Sequence, residues 1–225
     1  MEISPGECTV RSFLRCSCCA EHLALPAALK SIMSLSIEQI RKFLGRHEQK
    51  KLGKPGLRQA AVLMLLYPKD CELYVLLTKR TEDVEHHKGQ ISFPGGSMDD
   101  EDEDLVATAL RESEEEVGLP KEIPQILGML DEYETPSGFA VTPVVAYAGA
   151  LPSLKHNAME VAEILEVPLS VFLDVRNERV EKRKRMGHLI DVYFYRFGAH
   201  EIWGATAAIL RAFLHSVLSK NIGGG

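Results

Sequence analysis

Between residues 99 and 116 the chain carries ten acidic side chains and a single basic one, Arg111. No apolar core can absorb so many carboxylates, so this stretch belongs at the surface or around a cation. The remaining residues hold 25 basic against 22 acidic side chains, so the net charge of −6 is a local property. Neither figure suits a general nucleic-acid binder, and no nucleic-acid partner is expected. With 225 residues, 45% of them hydrophobic, the chain can bury one substantial core. Its longest apolar run, residues 60–67, has the length of a strand and falls far short of the roughly 18 residues a membrane span requires. No membrane partner is expected.

Four of the five cysteines, Cys8, Cys16, Cys18 and Cys19, precede residue 20, and the fifth is Cys71. An odd count with uneven spacing is no disulfide framework and points to a reducing compartment, the cytoplasm. Organellar targeting by the N-terminal segment stays open, although that segment lacks both a secretory apolar stretch and an acid-poor transit composition. Cys16-Ser-Cys-Cys19 has no second Cys/His cluster to complete a four-ligand zinc site. Residues 1–35 read as a disordered extension, with Met33 as an alternative start, and residues 36–220 as one domain.

Ser36 is placed to cap a short amphipathic helix carrying Ile37, Ile40, Phe43 and Leu44, which Gly53, Pro55 and Gly56 interrupt. Residues 60–67 and 73–77 read as strands joined by a turn at Pro68-Lys-Asp70. The glycines and proline of residues 89–96 forbid regular structure there. From Asp104 to Val117 the period becomes helical, with Val106, Leu110 and Val117 on one face and Gly118 as a stop. Further strands are expected at residues 126–133, 139–147, 161–167 and 190–197, and a closing helix over 205–218. The basic run from Lys182 to Arg185 reads as a solvated loop, and Trp203 as core. The fold class is α/β, a mixed sandwich with one helix laid against the sheet.

On that helix Glu112, Glu115 and Glu116 stand at i, i+3 and i+4 and so share a face. Like charges at this spacing repel by a few tenths of a kcal/mol per pair, roughly, and a hard divalent cation removes the penalty. Oxygen-only ligands suit Mg²⁺ or Mn²⁺ rather than zinc. The glycine-rich segment before the helix allows close backbone approach to a phosphate, and Arg111 can orient the acids. A bare acidic helix face is ordinarily just solvated; the adjoining loop is what separates this one from that reading.

These residues resemble the Nudix box, G-x5-E-x7-R-E-U-x-E-E-x-G-U with U aliphatic, through Arg111-Glu-Ser-Glu-Glu-Glu-Val-Gly-Leu119. Ser113 replaces one aliphatic, and Gly96 lies fifteen residues before Arg111 instead of fourteen, so either Asp102 or Glu103 is the first acid of the box. A second pattern, L-L-T-x-R-S/A-x3-R-x3-G-x3-F-P-G-G, resembles the coenzyme A pyrophosphatase subfamily through Leu76-Leu-Thr-Lys-Arg80, Gly89 and Phe93-Pro-Gly-Gly96. Thr81 and Glu85 depart from it, Glu85 standing where that signature has an arginine. Residues 202–208 look like the subfamily's closing helix, and the resemblance spans about residues 58–216.

The resemblance implies a Nudix-type α/β/α sandwich with a mixed sheet and a catalytic loop-helix-loop. It implies Glu112, Glu115, Glu116 and the Gly96 carbonyl as ligands of Mg²⁺ or Mn²⁺. Glu115 and Glu160 are the catalytic carboxylates expected, with Glu160 ranked before Glu163 as base, and Arg111 joins this set by holding a carboxylate in place. Lys79, Arg80, Gly95 and Gly96 are expected to bind substrate, whereas His86 and His87 read as solvent-facing. The implied partner is a small nucleotide, coenzyme A or its thioesters, cleaved at the diphosphate. Another nucleoside diphosphate derivative (a dinucleotide, ADP-ribose or a sugar nucleotide) and a non-cleaving nucleotide-binding module are the alternatives. Monomer and homodimer are equally compatible with the sequence.

Overall fold

The computed structural model describes residues 35–81, 89–185 and 187–222. The N-terminal cysteines, and Glu85, His86 and His87, lie outside these residues. Helix α1, Ile37–Leu44, begins where Ser36 predicts: its hydroxyl accepts from the Gln39 amide (3.3 Å) and its own amide donates to Gln39 Oε1 (2.8 Å), a capping box. Ile40, Phe43 and Leu44 turn inward from it.

Strands β1 (Arg58–Lys69) and β2 (Glu72–Arg80) form a hairpin. The turn is Asp70-Cys71, both at positive φ (49° and 64°), not Pro68-Lys-Asp70. A two-residue hairpin turn requires that handedness, and Pro68 remains in β1 opposite Leu73. The two strands pair directly only near this turn. Towards their other ends residues 89–97 occupy the facing edges, with β3 (Ile91–Ser92) on β2 and β4 (Gly95–Ser97) on β1. The glycine-rich segment is therefore not without regular structure: Gly95 and Gly96 are in register with Val62 and Ala61.

Helix α2 (Leu105–Val117) starts at Asp104, whose Oδ1 accepts from the Ala107 amide (2.8 Å), and stops at Gly118 in the left-handed conformation (φ 66°). Strands β5 (Gln125–Met129) and β6 (Tyr133–Glu134) run antiparallel to β7 (Phe139–Tyr147), which is itself parallel to β1. Strand β8 (Val161–Pro168) takes the outer edge of β2, giving a mixed sheet ordered β3-β2-β1-β7-β5. A three-stranded sheet follows, β9 (Glu178–Arg185), β10 (His188–Phe197) and β11 (His200–Trp203), and then helix α3 (Ala205–Ile222). Thus the basic run Lys182 to Arg185 is strand, not loop, and Ile202-Trp203 precede the closing helix instead of opening it.

Alternation along β1 explains the layers. Ala61, Leu63, Leu65 and Tyr67 pack with Ala109 and Val117 of α2, while Met64 and Leu66 face α1, α3 and the small sheet through Ile40, Phe213 and Ile202. Leu63, Leu65 and Leu66 are fully buried, contributing about 2 kcal/mol each relative to exposure. The expected sandwich stands, with the three-stranded sheet sharing its second helical layer. Trp203 is half-buried, stacked on Phe194 at 5.7 Å, rather than core. Among the described residues no helix is long and apolar enough to cross a membrane.

Candidate active site

Arg111 fixes one side of the site. Its Nε and Nη2 donate to Asp102 Oδ1 and Oδ2 (both 2.9 Å), Nη2 also to the Ser97 carbonyl (3.1 Å), and Nη1 to Glu112 (3.0 Å) and Glu115 (3.3 Å). Asp102, not Glu103, is therefore the acid that grips the arginine, in the bidentate geometry a guanidinium favours. It lies at the sixth position after Gly96, so the extra residue of the box falls between it and Arg111. Those hydrogen bonds from Arg111 hold the Asp102 carboxyl well below its usual range. Because its folded value is depressed, Asp102 stabilises the protein above its ordinary value of 3.8, and that contribution disappears as pH falls below it. Asp102→Asn is expected to cost about 2 kcal/mol at pH 7 and to flatten the acid limb of a melting temperature profile between pH 2.5 and 7. An unchanged acid limb would show that the bridge does not carry this stability.

The other side is built around Glu116. Its side chain is 4% exposed, with Oε1 3.6 Å from Arg80 Nη1 and Oε2 accepting from the Gly95 amide at 3.4 Å. Burial pushes its carboxyl up to about 8, Arg80 opposing the shift while Glu112 and Glu160 add to it. Burial likewise raises Glu112, against the pull of Arg111. The loop after β7 docks on the end of α2 through the Asn157 amide, which donates to the Glu116 carbonyl (2.9 Å), and the Glu160 carbonyl accepts from the Thr81 amide (2.9 Å). Glu160 is thereby held close enough to raise both Glu112 and Glu116, whereas Glu163 faces His200 at 3.5 Å.

The three helix carboxylates consequently do not share one environment. Glu116 is buried, Glu112 is partly buried against Gly96, and Glu115 is exposed beside Arg111. A Cβ on Gly96 would lie 2.4 Å from Glu112 Oε1, so only glycine leaves that carboxylate its place. Arg111 touches carboxylates and a carbonyl, contacts that suit the expected task of holding the acids in place. Of the expected substrate contacts, Arg80 lies in the site and the Gly95 amide is directed at Glu116. Lys79 follows Leu77 at two-residue spacing and so shares the face of Leu77, the one turned away from α2. Asn157, which fixes the turn before Glu160, went unforeseen, since an asparagine in a loop has no distinguishing spacing. An open depression of about 570 Å³ adjoins the Arg111 network and is lined by Arg58, Gln59, Ser97, Met98, Asp99, Asp100 and Asp102.

Arg111 thus gathers Asp99, Asp102, Glu112 and Glu115, Arg80 faces Glu116, and Glu160 adds a further carboxylate beside them. Among the described residues no three acids, histidines or cysteines are already drawn together as donors. The donor set still fits a hard divalent cation. Every donor is oxygen, two of the carboxylates are desolvated, and carboxylates outnumber the guanidinium groups.

The NUDIX domain family matches residues 57–191. The chain belongs to the Nudix hydrolase family. It is 42% identical over 163 residues to the Nudix hydrolase NudL of Photorhabdus laumondii subsp. laumondii, covering 71% of this chain and 85% of that protein. NudL of Pectobacterium atrosepticum is 41% identical over 157 residues, covering 68% of this chain and 79% of its own. Among solved structures, the Nudix hydrolase RenU from M. smegmatis aligns at 28% identity and a TM-score of 0.44 over 51% of this chain and 73% of that one. Nudix hydrolases generally use divalent metal ions, and Glu112, Glu115 and Glu116 lie in the segment that resembles the Nudix box.

Proposed function

We propose that this Nudix hydrolase is a Mg²⁺- or Mn²⁺-dependent pyrophosphatase that cleaves the diphosphate of coenzyme A or an acyl-coenzyme A. The products would be a 3′-phosphorylated adenosine nucleotide and the matching phosphopantetheine. The observation that carries the chemistry is the buried Glu116, flanked by Glu112 and Glu160 and faced by Arg80. Subfamily assignment rests on Leu76-Leu-Thr-Lys-Arg80 and Phe93-Pro-Gly-Gly96.

Glu112, Glu115, Glu116 and the Gly96 carbonyl would hold the cation, which supplies charge neutralisation on the phosphoryl oxygens and acidifies water. Glu160, reaching the site from a separate loop, accepts a proton from the attacking water. The water oxygen bonds to one phosphorus while that phosphorus loses its bond to the bridging oxygen, which departs on the other phosphate. Arg80 donates to a phosphoryl oxygen, and Arg111, fixed by Asp102, keeps Glu112 and Glu115 in their positions.

Incubation with coenzyme A, acetyl-coenzyme A, ADP-ribose and NADH, with Mg²⁺ or Mn²⁺, tests the assignment. Metal-dependent release of a 3′-phosphorylated adenosine nucleotide from the first two is expected. Glu85, in place of the signature's arginine, is the specific observation favouring a second reading, another nucleoside diphosphate derivative; cleavage confined to ADP-ribose or NADH would establish it. No cleavage of any of them would point to a binding module.

A further inference from the structure

The ion pair across the site does more than neutralise charge. Glu116 is the most deeply buried carboxylate of the cluster, and its charged partner there is the Arg80 guanidinium, 3.6 Å away. Arg80 stands at the end of β2, its amide donating to the Gln90 carbonyl (3.0 Å) and the following Thr81 amide to the Glu160 carbonyl (2.9 Å), so its backbone is fixed. Its side chain is not used up. Nε is buried and, among the described residues, has no hydrogen-bond acceptor. A guanidinium in this state has directional donors open to an oxygen ligand, and a buried donor left unmade is costly.

We infer that Arg80 is the resident counter-cation of Glu116: it occupies the carboxylate until a divalent cation takes its place, and the displaced guanidinium then turns its donors to the substrate anion. This rests on the reading of the site as a metal-dependent one and adds an order to it, cation before anion. One carboxylate cannot serve both positive charges fully at so buried a position, because like charges a few ångströms apart repel about as strongly as the ion pair attracts. The two ligands are coupled through a single side chain. A cation at Glu116 releases Arg80 for the anion, and an anion on Arg80 frees Glu116 for the cation, so each raises the affinity for the other.

The test compares the full chain with Arg80→Gln, Arg80→Lys and the double variant Arg80→Gln/Glu116→Gln, by melting temperature with a chelator and with Mn²⁺, and by calorimetric titration of Mn²⁺ without substrate. With chelator, Arg80→Gln should melt lower than wild type, since Glu116 is left buried and alone, and the double variant should recover. With Mn²⁺, Arg80→Gln should gain more degrees than wild type and bind roughly tenfold tighter, because the competing charge has gone. Arg80→Lys should follow wild type in both. In the presence of Mg²⁺, the proposed product adenosine 3′,5′-bisphosphate should bind Arg80→Gln several-fold more weakly than wild type. Metal affinity and anion affinity then move in opposite directions, which loss of packing alone does not produce. Equal or weaker Mn²⁺ binding by Arg80→Gln, with wild type stabilised by the metal, overturns the role of Arg80 alone. A wild type that Mn²⁺ does not stabilise overturns the metal-dependent reading, and this inference with it.

Discussion

Glu116→Gln should lower turnover by roughly a thousandfold or more, about 4 kcal/mol of barrier, while leaving a folded protein. The substitution keeps the shape of the side chain and removes its charge. Wild-type Glu116 holds its carboxyl at a 4% exposed position, where burial moves it from 4.5 up to about 8. A raised folded value means that stability attributable to this group is fully present below 4.5 and is lost as pH rises through 8. The metal-free variant is spared this loss, so with chelator at pH 8 it should melt no lower than wild type. Upon addition of Mg²⁺ the order reverses, because wild type gains a cation that the amide no longer attracts. The decisive measurements are turnover of coenzyme A and paired melting curves with and without metal. Full activity in Glu116→Gln would remove this carboxylate from the chemistry. A variant that is inactive and melts many degrees lower in both conditions would make it structural instead.

The chemistry of the site was more legible in the sequence than its electrostatics. Asp104 and Gly118 mark the ends of α2 correctly because capping is a local interaction, decided by one side chain and one backbone angle. The burial of that helix was legible only in part. Val106, Leu110 and Val117 do pack on the core, Val117 completely, but burial extends beyond them to Ala109, Ser113 and Glu116, where the 89–97 segment and the 155–160 loop cover polar residues that periodicity counts as exposed. Ser113, which departs from the box, is tolerated because its hydroxyl donates to the Ala109 carbonyl at 2.7 Å and leaves no unsatisfied group. Strand β9 was missed since seven of its eight residues are charged; Arg179 and Arg183 lie over the Phe194 ring at 4.1 and 5.0 Å, a stabilisation that depends on β10 and has no local trace. The Arg80–Glu116 pair is invisible for the same reason, being created when α2 packs on β1 and β4 beside the end of β2.

Gly95→Ala should be the most damaging small substitution in the chain, costing roughly 3 kcal/mol or more and about 10 °C in melting temperature. Gly95 has φ 151°, a conformation that side chains with a Cβ rarely adopt. The added carbon would also stand 2.3 Å from the Ala61 carbonyl oxygen and 2.6 Å from the Val62 Cα. Both are backbone atoms of β1, at the place where Val62 and Ala61 pair with Gly95 and Gly96, so no side-chain rotation relieves the clash. Relief requires β4 to leave β1. That movement withdraws the Gly95 amide from Glu116 and shifts Gly96 against Glu112, so fold and site fail together. Gly96→Ala supplies the contrast. Its nearest obstacle is the Glu112 carboxylate, at 2.4 Å, and a carboxylate can swing aside. That variant should keep most of its melting temperature and lose activity through the displaced Glu112. Thermal unfolding and turnover measured on both separate the two positions: equal melting temperatures for Gly95→Ala and Gly96→Ala would show that β1 yields to a Cβ, and that the glycine pair serves the carboxylates alone.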